Sequence, residues 1–164
     1  MKRALALLAA LCALTAPAAA QTLAFGAASL ENIRAQYAGR PFILALWSAN
    51  GCTYCAKELV MLGELVKQHP DLPVVFVSTD GPEFAPQMQA MLASHGLAGK
   101  PSWVFDGEIP ERPRRAIGPQ WRGEVPRSYL YDARHAREAV PGLLGEARLR
   151  AWMASELNNN PHNN

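Results

Sequence analysis

The pair Cys52 and Cys55, two residues apart in Gly51-Cys52-Thr53-Tyr54-Cys55, constrains this chain more than any other feature. Upstream, Phe42 to Trp47 is an unbroken apolar run, the pattern of a strand buried on both faces. Downstream, Leu59, Leu62, Leu65 and Val66 recur at helical spacing until Pro70 stops the pattern. The cysteines therefore fall where a buried strand turns, through Ser48 to Gly51, into an amphipathic helix. There the first cysteine meets unpaired backbone N–H groups and the positive end of the helix dipole, both of which stabilise a thiolate. The second lies one turn on, within reach of a mixed disulfide formed by the first. Thiol–disulfide exchange needs this asymmetry of attacking and resolving thiols.

Other uses of two cysteines fit less well. Structural zinc takes four ligands, and the chain has no second pair, while His69, His95 and His135 stand at no ligand-like spacing; no metal is expected. A bridge closing so short a loop stabilises little by chain entropy, which points to chemistry rather than stapling. The third cysteine, Cys12, sits in an apolar stretch from Ala4 to Leu14, behind Lys2 and Arg3 and ahead of Ala18-Ala19-Ala20. That is the layout of a cleaved secretory signal, too short for the roughly 20 residues of a membrane span. The expected organisation is a signal over 1–20, one domain over 21–157 and a disordered Asn-rich tail over 158–164, with the mature protein in the periplasm. Cleavage removes two cations and no acid, which brings 16 Lys+Arg and 14 Asp+Glu into balance. A neutral domain gives no case for a nucleic-acid partner. The cluster Arg112, Arg114 and Arg115 reads as a solvated loop, Met88 and Met91 as core filler.

Further along, Val74–Ser78 reads as a second buried strand, Glu83–His95 as a helix and Ser102–Phe105 as a short strand. Positions 106–124 read as loop with one helical turn over Arg114–Ile117. Ser128–Tyr131 and Ala136–Val140 form a hairpin around Asp132-Ala133-Arg134, and Glu146–Leu157 is a closing helix with Leu149 and Trp152 inward. The order β-α-β-α-β, hairpin, helix predicts an α/β fold: a central mixed sheet flanked by helices on both faces.

Arg40 to Trp47, the C-x-x-C, Lys57-Glu58-Leu59, a strand ending in Asp80, and Gly123 to Asp132 together resemble the TlpA/ResA-like branch of the thioredoxin superfamily. The resemblance runs from about Ala38 to Trp152, and the helix and strand between Val77 and Ile117 look like that branch's insertion. It implies a thioredoxin fold with a cis bond at Val125–Pro126 facing the cysteines, so that the Val125 backbone can pair with an extended substrate. The competing reading is a trans proline opening an edge strand. It also implies that Glu58, three residues after Cys55, carries protons for the resolving thiol; otherwise Glu58 is a surface acid of the helix. Arg127, directly after the proline, either contacts an acidic substrate or points to solvent. Two departures bear on partner choice. Gly51 stands where the family has tryptophan, and the loop between Trp47 and Cys52 is one residue longer.

The expected activity is reduction of a disulfide in an exported protein, with Cys52 attacking, Cys55 resolving and Glu58 assisting. Val125, Pro126 and Arg127 would bind substrate, and no cofactor is required. The resemblance implies a membrane-embedded thiol donor as reductant, and an apocytochrome c, a copper-site assembly protein or a periplasmic enzyme as client; a monomer is expected. A folding oxidase is the same chemistry reversed, separated by reduction potential alone. A Cu(I) chaperone would use both thiolates, with His135 approaching after folding. A peroxidase of this fold would place a lone cysteine in a Thr/Pro-rich motif, which is absent.

Overall fold

A computed structural model describes residues 22–107 and 111–157 of the chain; the expected signal over 1–20 and tail over 158–164 lie outside the described residues. Its spine is strand β2 (Phe42–Trp47), with all six side chains buried. Ile43, Ala45 and Trp47 enter one core, and Phe42, Leu44 and Leu46 the other. Strand side chains alternate between faces, so an unbroken apolar run can be satisfied only by covering both faces.

The sheet has the order β1-β4-β3-β2-β5-β6. Its remaining strands are β1 (Leu23–Phe25), β3 (Val74–Ser78), β4 (Ser102–Phe105), β5 (Arg127–Tyr131) and β6 (Arg137–Pro141). The first four in that order run parallel, β5 runs antiparallel to β2, and β6 closes the hairpin. One face is covered by α2 (Thr53–Gln68), α3 (Ala85–Ser94) and α5 (Glu146–Glu156), through Leu59, Leu62, Met88, Leu92, Leu149 and Trp152. The other is covered by α1 (Ser29–Gln36) and α4 (Glu111–Ile117), through Leu30, Ile33 and Ile117. This is the mixed α/β sheet that the element order predicts.

Three differences from the sequence reading have physical causes. β1 and α1 are additional: β1 is three residues long with only Phe25 buried, so its pattern is too short to read. The expected single turn near Arg114 is a helix from Glu111, because Pro113 falls in its first turn, where a missing N–H costs nothing, and buries with Ile117 on one side. The helix expected over Glu83–His95 is split into a 3-10 turn at Pro82–Phe84 and α3, which takes Pro86 in its first turn. At Gly63 a Cβ would collide with the His95 carbonyl; that glycine lets α2 lie directly on the end of α3.

Candidate active site

β2 ends at Trp47, and after four intervening residues Cys52 caps the N-terminus of α2. Cys52 and Cys55 are joined in a disulfide. The Cys55 backbone N–H donates to Cys52 Sγ at 3.2 Å, so the sulfur itself occupies the capping position. Cys52 is half-buried and Cys55 fully buried. One sulfur can be approached and the other is shielded, which is the division that attack and resolution require. In the reduced state a thiolate on Cys52 would lie against the helix N-terminus, which favours its ionisation.

The segment before β5 faces this sulfur. The Val125–Pro126 bond is cis, and the Val125 carbonyl oxygen lies 3.9 Å from Cys52 Sγ. The Pro126 carbonyl accepts from Gly142 N–H at 3.0 Å, which ties the segment to the turn between β6 and α5. Val125 is thus at Cys52, and Pro126 follows it across the cis bond.

Arg127 is not. Alternation along β5 sends Ser128 and Leu130 towards α2, and Arg127 with Tyr129 and Tyr131 to the opposite face. Its guanidinium is held by Glu124 at 2.8 Å and by the Tyr129 hydroxyl at 3.1 Å, with 13% of the side chain exposed. It neither points to open solvent nor reaches the cysteines.

Glu58 lies one turn beyond Cys55 on the same face of α2 and is 4% exposed; it is not a surface acid. Its carboxylate accepts from Leu144 N–H at 3.1 and 3.3 Å, and from the Ser128 hydroxyl at 3.5 Å. Burial raises its pKa above the ordinary carboxylate value; the Leu144 and Ser128 hydrogen bonds oppose the rise but do not cancel it. A buried carboxyl short of donors, one helical turn from Cys55, holds a proton more readily than a solvated one and can pass it on. Ser128 and Leu144 are site residues that the sequence reading missed. Neither carries a signal of its own, since Ser128 is a small strand residue and Leu144 contributes only its backbone.

His135 is placed away from the cysteines. It sits in the turn between β5 and β6, with Nε2 3.0 Å from the Tyr37 carbonyl and its ring edge-on to Phe42 and Tyr131. Phe42 begins β2 and Cys52 follows its end, so a strand length separates His135 from the sulfurs. The Cu(I) reading loses the histidine it invoked. Among the described residues, no group of three or more His, Cys, Asp and Glu is placed to hold a metal ion. A cavity of about 870 Å³ bordered by Tyr37, His69 and Arg150 also opens at that far end. The rim of the site is apolar and basic: Tyr54, 61% exposed, lies beside Cys52, with Lys57 Nζ 5.2 Å from its ring centre.

The sequence pattern of the AhpC/TSA family matches residues 15–107, more than half of the chain and inclusive of both cysteines. Comparison with curated proteins finds no match. Among solved structures, a secreted Mycobacterium tuberculosis disulfide oxidoreductase homologous to E. coli DsbE is similar at 20% identity and TM-score 0.55, over 74% of this chain and 85% of that one. A thiol:disulfide interchange protein of the thioredoxin family from Chlorobium tepidum is similar at 18% identity and TM-score 0.59, over 76% and 84%. A DsbF homologue from Corynebacterium diphtheriae matches at 18% identity and TM-score 0.57, over 74% and 75%. At such identities the likeness establishes the fold, which is that of thioredoxin.

Proposed function

This chain belongs to the AhpC/TSA family, and from that membership and the site geometry we propose that it is an exported thiol–disulfide oxidoreductase that reduces a disulfide in a protein substrate. The observation that carries the reading is the pairing of an approachable Cys52, capping α2, with a buried Cys55 backed by the buried carboxyl of Glu58. In the dithiol form, the Cys52 thiolate attacks one sulfur of the substrate disulfide. That bond breaks, a Cys52–substrate bond forms, and one substrate thiolate leaves. Cys55 then gives its proton to Glu58 and attacks Cys52 Sγ, which releases the second substrate thiolate. Two electrons have passed to the substrate, and the protein is left in the Cys52–Cys55 disulfide form. The Val125 backbone, 3.9 Å from Cys52 Sγ, is placed to pair with an extended substrate segment.

A membrane thiol donor would restore the dithiol, and 1–20 would be removed on export to the periplasm; N-terminal sequencing of the secreted protein checks the cleavage. A peroxidase reading fits less well, since Ser48, Ala49, Asn50 and Gly51 precede the attacking cysteine and a second cysteine stands ready to resolve it.

The test is a trap. The Cys55→Ser protein, mixed with the exported proteins of its host, should accumulate adducts that dithiothreitol releases and that vanish when Cys52 is also replaced. No adduct on Cys52 would remove the assigned roles. The direction is read from the potential of the couple: about −270 mV marks a reductant, about −120 mV an oxidant.

A further inference from the structure

The loop from Ser48 to Gly51 is longer than its resemblance leads one to expect and carries glycine in place of an indole, yet its polar groups are held. Asp80, just beyond β3, accepts the Ser48 hydroxyl at 2.7 Å and the Ala49 N–H at 2.6 Å. Ser78 donates to the same carboxylate at 2.7 Å, which fixes it from behind. Since the single hydroxyl proton of Ser48 goes to Asp80, its oxygen accepts from the Asn50 N–H at 3.1 Å. On the other side, Gln87 of α3 donates to the Ala49 carbonyl at 2.8 Å. Both backbone groups of Ala49 are therefore taken by side chains of the segment from Ser78 to Gln87. Gly51 then leaves the loop at φ +75°, a conformation that suits glycine.

Ordering a free loop costs conformational entropy at every residue, and charge-assisted bonds to a carboxylate are among the strongest available for ordering it. Cys52 follows this loop directly, and its sulfur must sit close to Val125 if a substrate strand paired there is to present its disulfide.

We propose that Asp80, assisted by Gln87, is a positioning residue: it holds the Ser48–Gly51 loop so that Cys52 is set against the Val125 backbone for attack on an extended protein disulfide. The proposal rests on the redox reading above. It makes a division that a purely structural role does not. A protein disulfide must be attacked in one register, whereas a small flexible disulfide can meet Cys52 in many. If the loop is freed, the fraction of molecules in the competent geometry falls and the apparent affinity for protein falls with it, while exchange with a small disulfide persists.

The experiment compares full-length wild type, Asp80→Ala and Gln87→Ala in insulin reduction driven by dithiothreitol, and separately in the reaction of the reduced proteins with oxidised glutathione. For Asp80→Ala the expected result is a KM for insulin raised about tenfold, the equivalent of one charge-assisted hydrogen bond, with kcat and the glutathione rate within about twofold. Asp80→Asn, which keeps one acceptor oxygen, should recover part of the loss. Gln87→Ala places a good helix former on an exposed helical position, so it preserves the fold; it should raise KM about threefold. Equal losses on both disulfides, or unchanged kinetics in both alanine variants, would overturn the positioning role. If Asp80→Ala fails to fold, the Gln87→Ala result decides by the same criteria. Wild type inert towards both disulfides would remove the redox reading itself, a result distinct from any of the variant outcomes.

Discussion

Two carboxylates flank the cysteines, and the regions that hold them are built to opposite ends. Beneath α2, Glu58 is enclosed by apolar packing and receives one backbone N–H and one distant hydroxyl. Just beyond β3, and against the loop ahead of α2, Asp80 receives two hydroxyls and a backbone N–H, all within 2.7 Å. Burial with few donors disfavours charge and leaves a group able to gain and lose a proton. A dense set of donors fixes whatever supplies them. On the reading proposed above, the same functional group serves as a proton carrier in one region and an anchor in the other, and the surroundings decide which.

The largest effect should come from making the carrier unable to carry. Glu58→Gln keeps the shape and the acceptor for Leu144 but cannot take the Cys55 proton. Release of substrate from the mixed disulfide should slow about 100-fold near neutral pH, the scale of general acid–base assistance. First attack by Cys52 should be little changed, and quenched-flow separation of the two steps distinguishes them. Equal slowing of both steps would break the contrast between the two acids.

A smaller effect follows from linkage. Burial raises the Glu58 pKa above its ordinary 4.5. Below that value the carboxyl is protonated in both folded and unfolded chains. As pH rises past it, the unfolded chain gives up the proton while the folded protein retains it, so stability falls until the pH passes the folded value, above which this contribution levels off. Urea midpoints of the oxidised protein, followed upward from pH 4, should show the decline, and Glu58→Gln should lack it. An unchanged slope in the variant would assign the decline to other groups.

How far the site was legible in the sequence follows the distance along the chain. Cys52, Cys55 and Glu58 lie within two turns of one helix, so spacing alone places them on a common side. The Val125–Pro126 segment came through resemblance, its proline being the visible mark. The groups that set the behaviour of the two acids are distant: Ser128 and Leu144 reach Glu58 across 70 and 86 positions, and Asp80 reaches Ala49 across 31. No local pattern reports such meetings. Arg127 shows a subtler limit. Alternation in β5 fixes that Arg127 and Ser128 point opposite ways, but a serine and an arginine at the start of a strand do not say which face meets α2. The fold was more readable than the site, because the unbroken run in β2 demands cover on both faces; β1 and α1, short and weakly patterned, escaped it, and the bounds of α3 and α4 were read only in part.

The loop region can be probed without touching its acid. Gly51→Ala places a side chain at φ +75°, where no neighbour lies within 4 Å of the new carbon. Any cost is conformational, about 1 kcal/mol, and read from the denaturation midpoint. A larger loss would mean that the loop depends on more than the bonds to Asp80 and Gln87.

The mildest change tests the sparse side of the contrast. Ser128→Ala removes the hydroxyl 3.5 Å from Glu58 and leaves the Leu144 N–H in place. So long a bond holds little, and stability at pH 7 should stay within about 0.5 kcal/mol of wild type. Because that hydroxyl acts to lower the Glu58 pKa, its loss should leave the onset of the stability decline in place and carry its end to higher pH, never lower. A shift in the other direction would show that Ser128 is not a donor to the carboxylate, and that packing alone sets the proton affinity of Glu58.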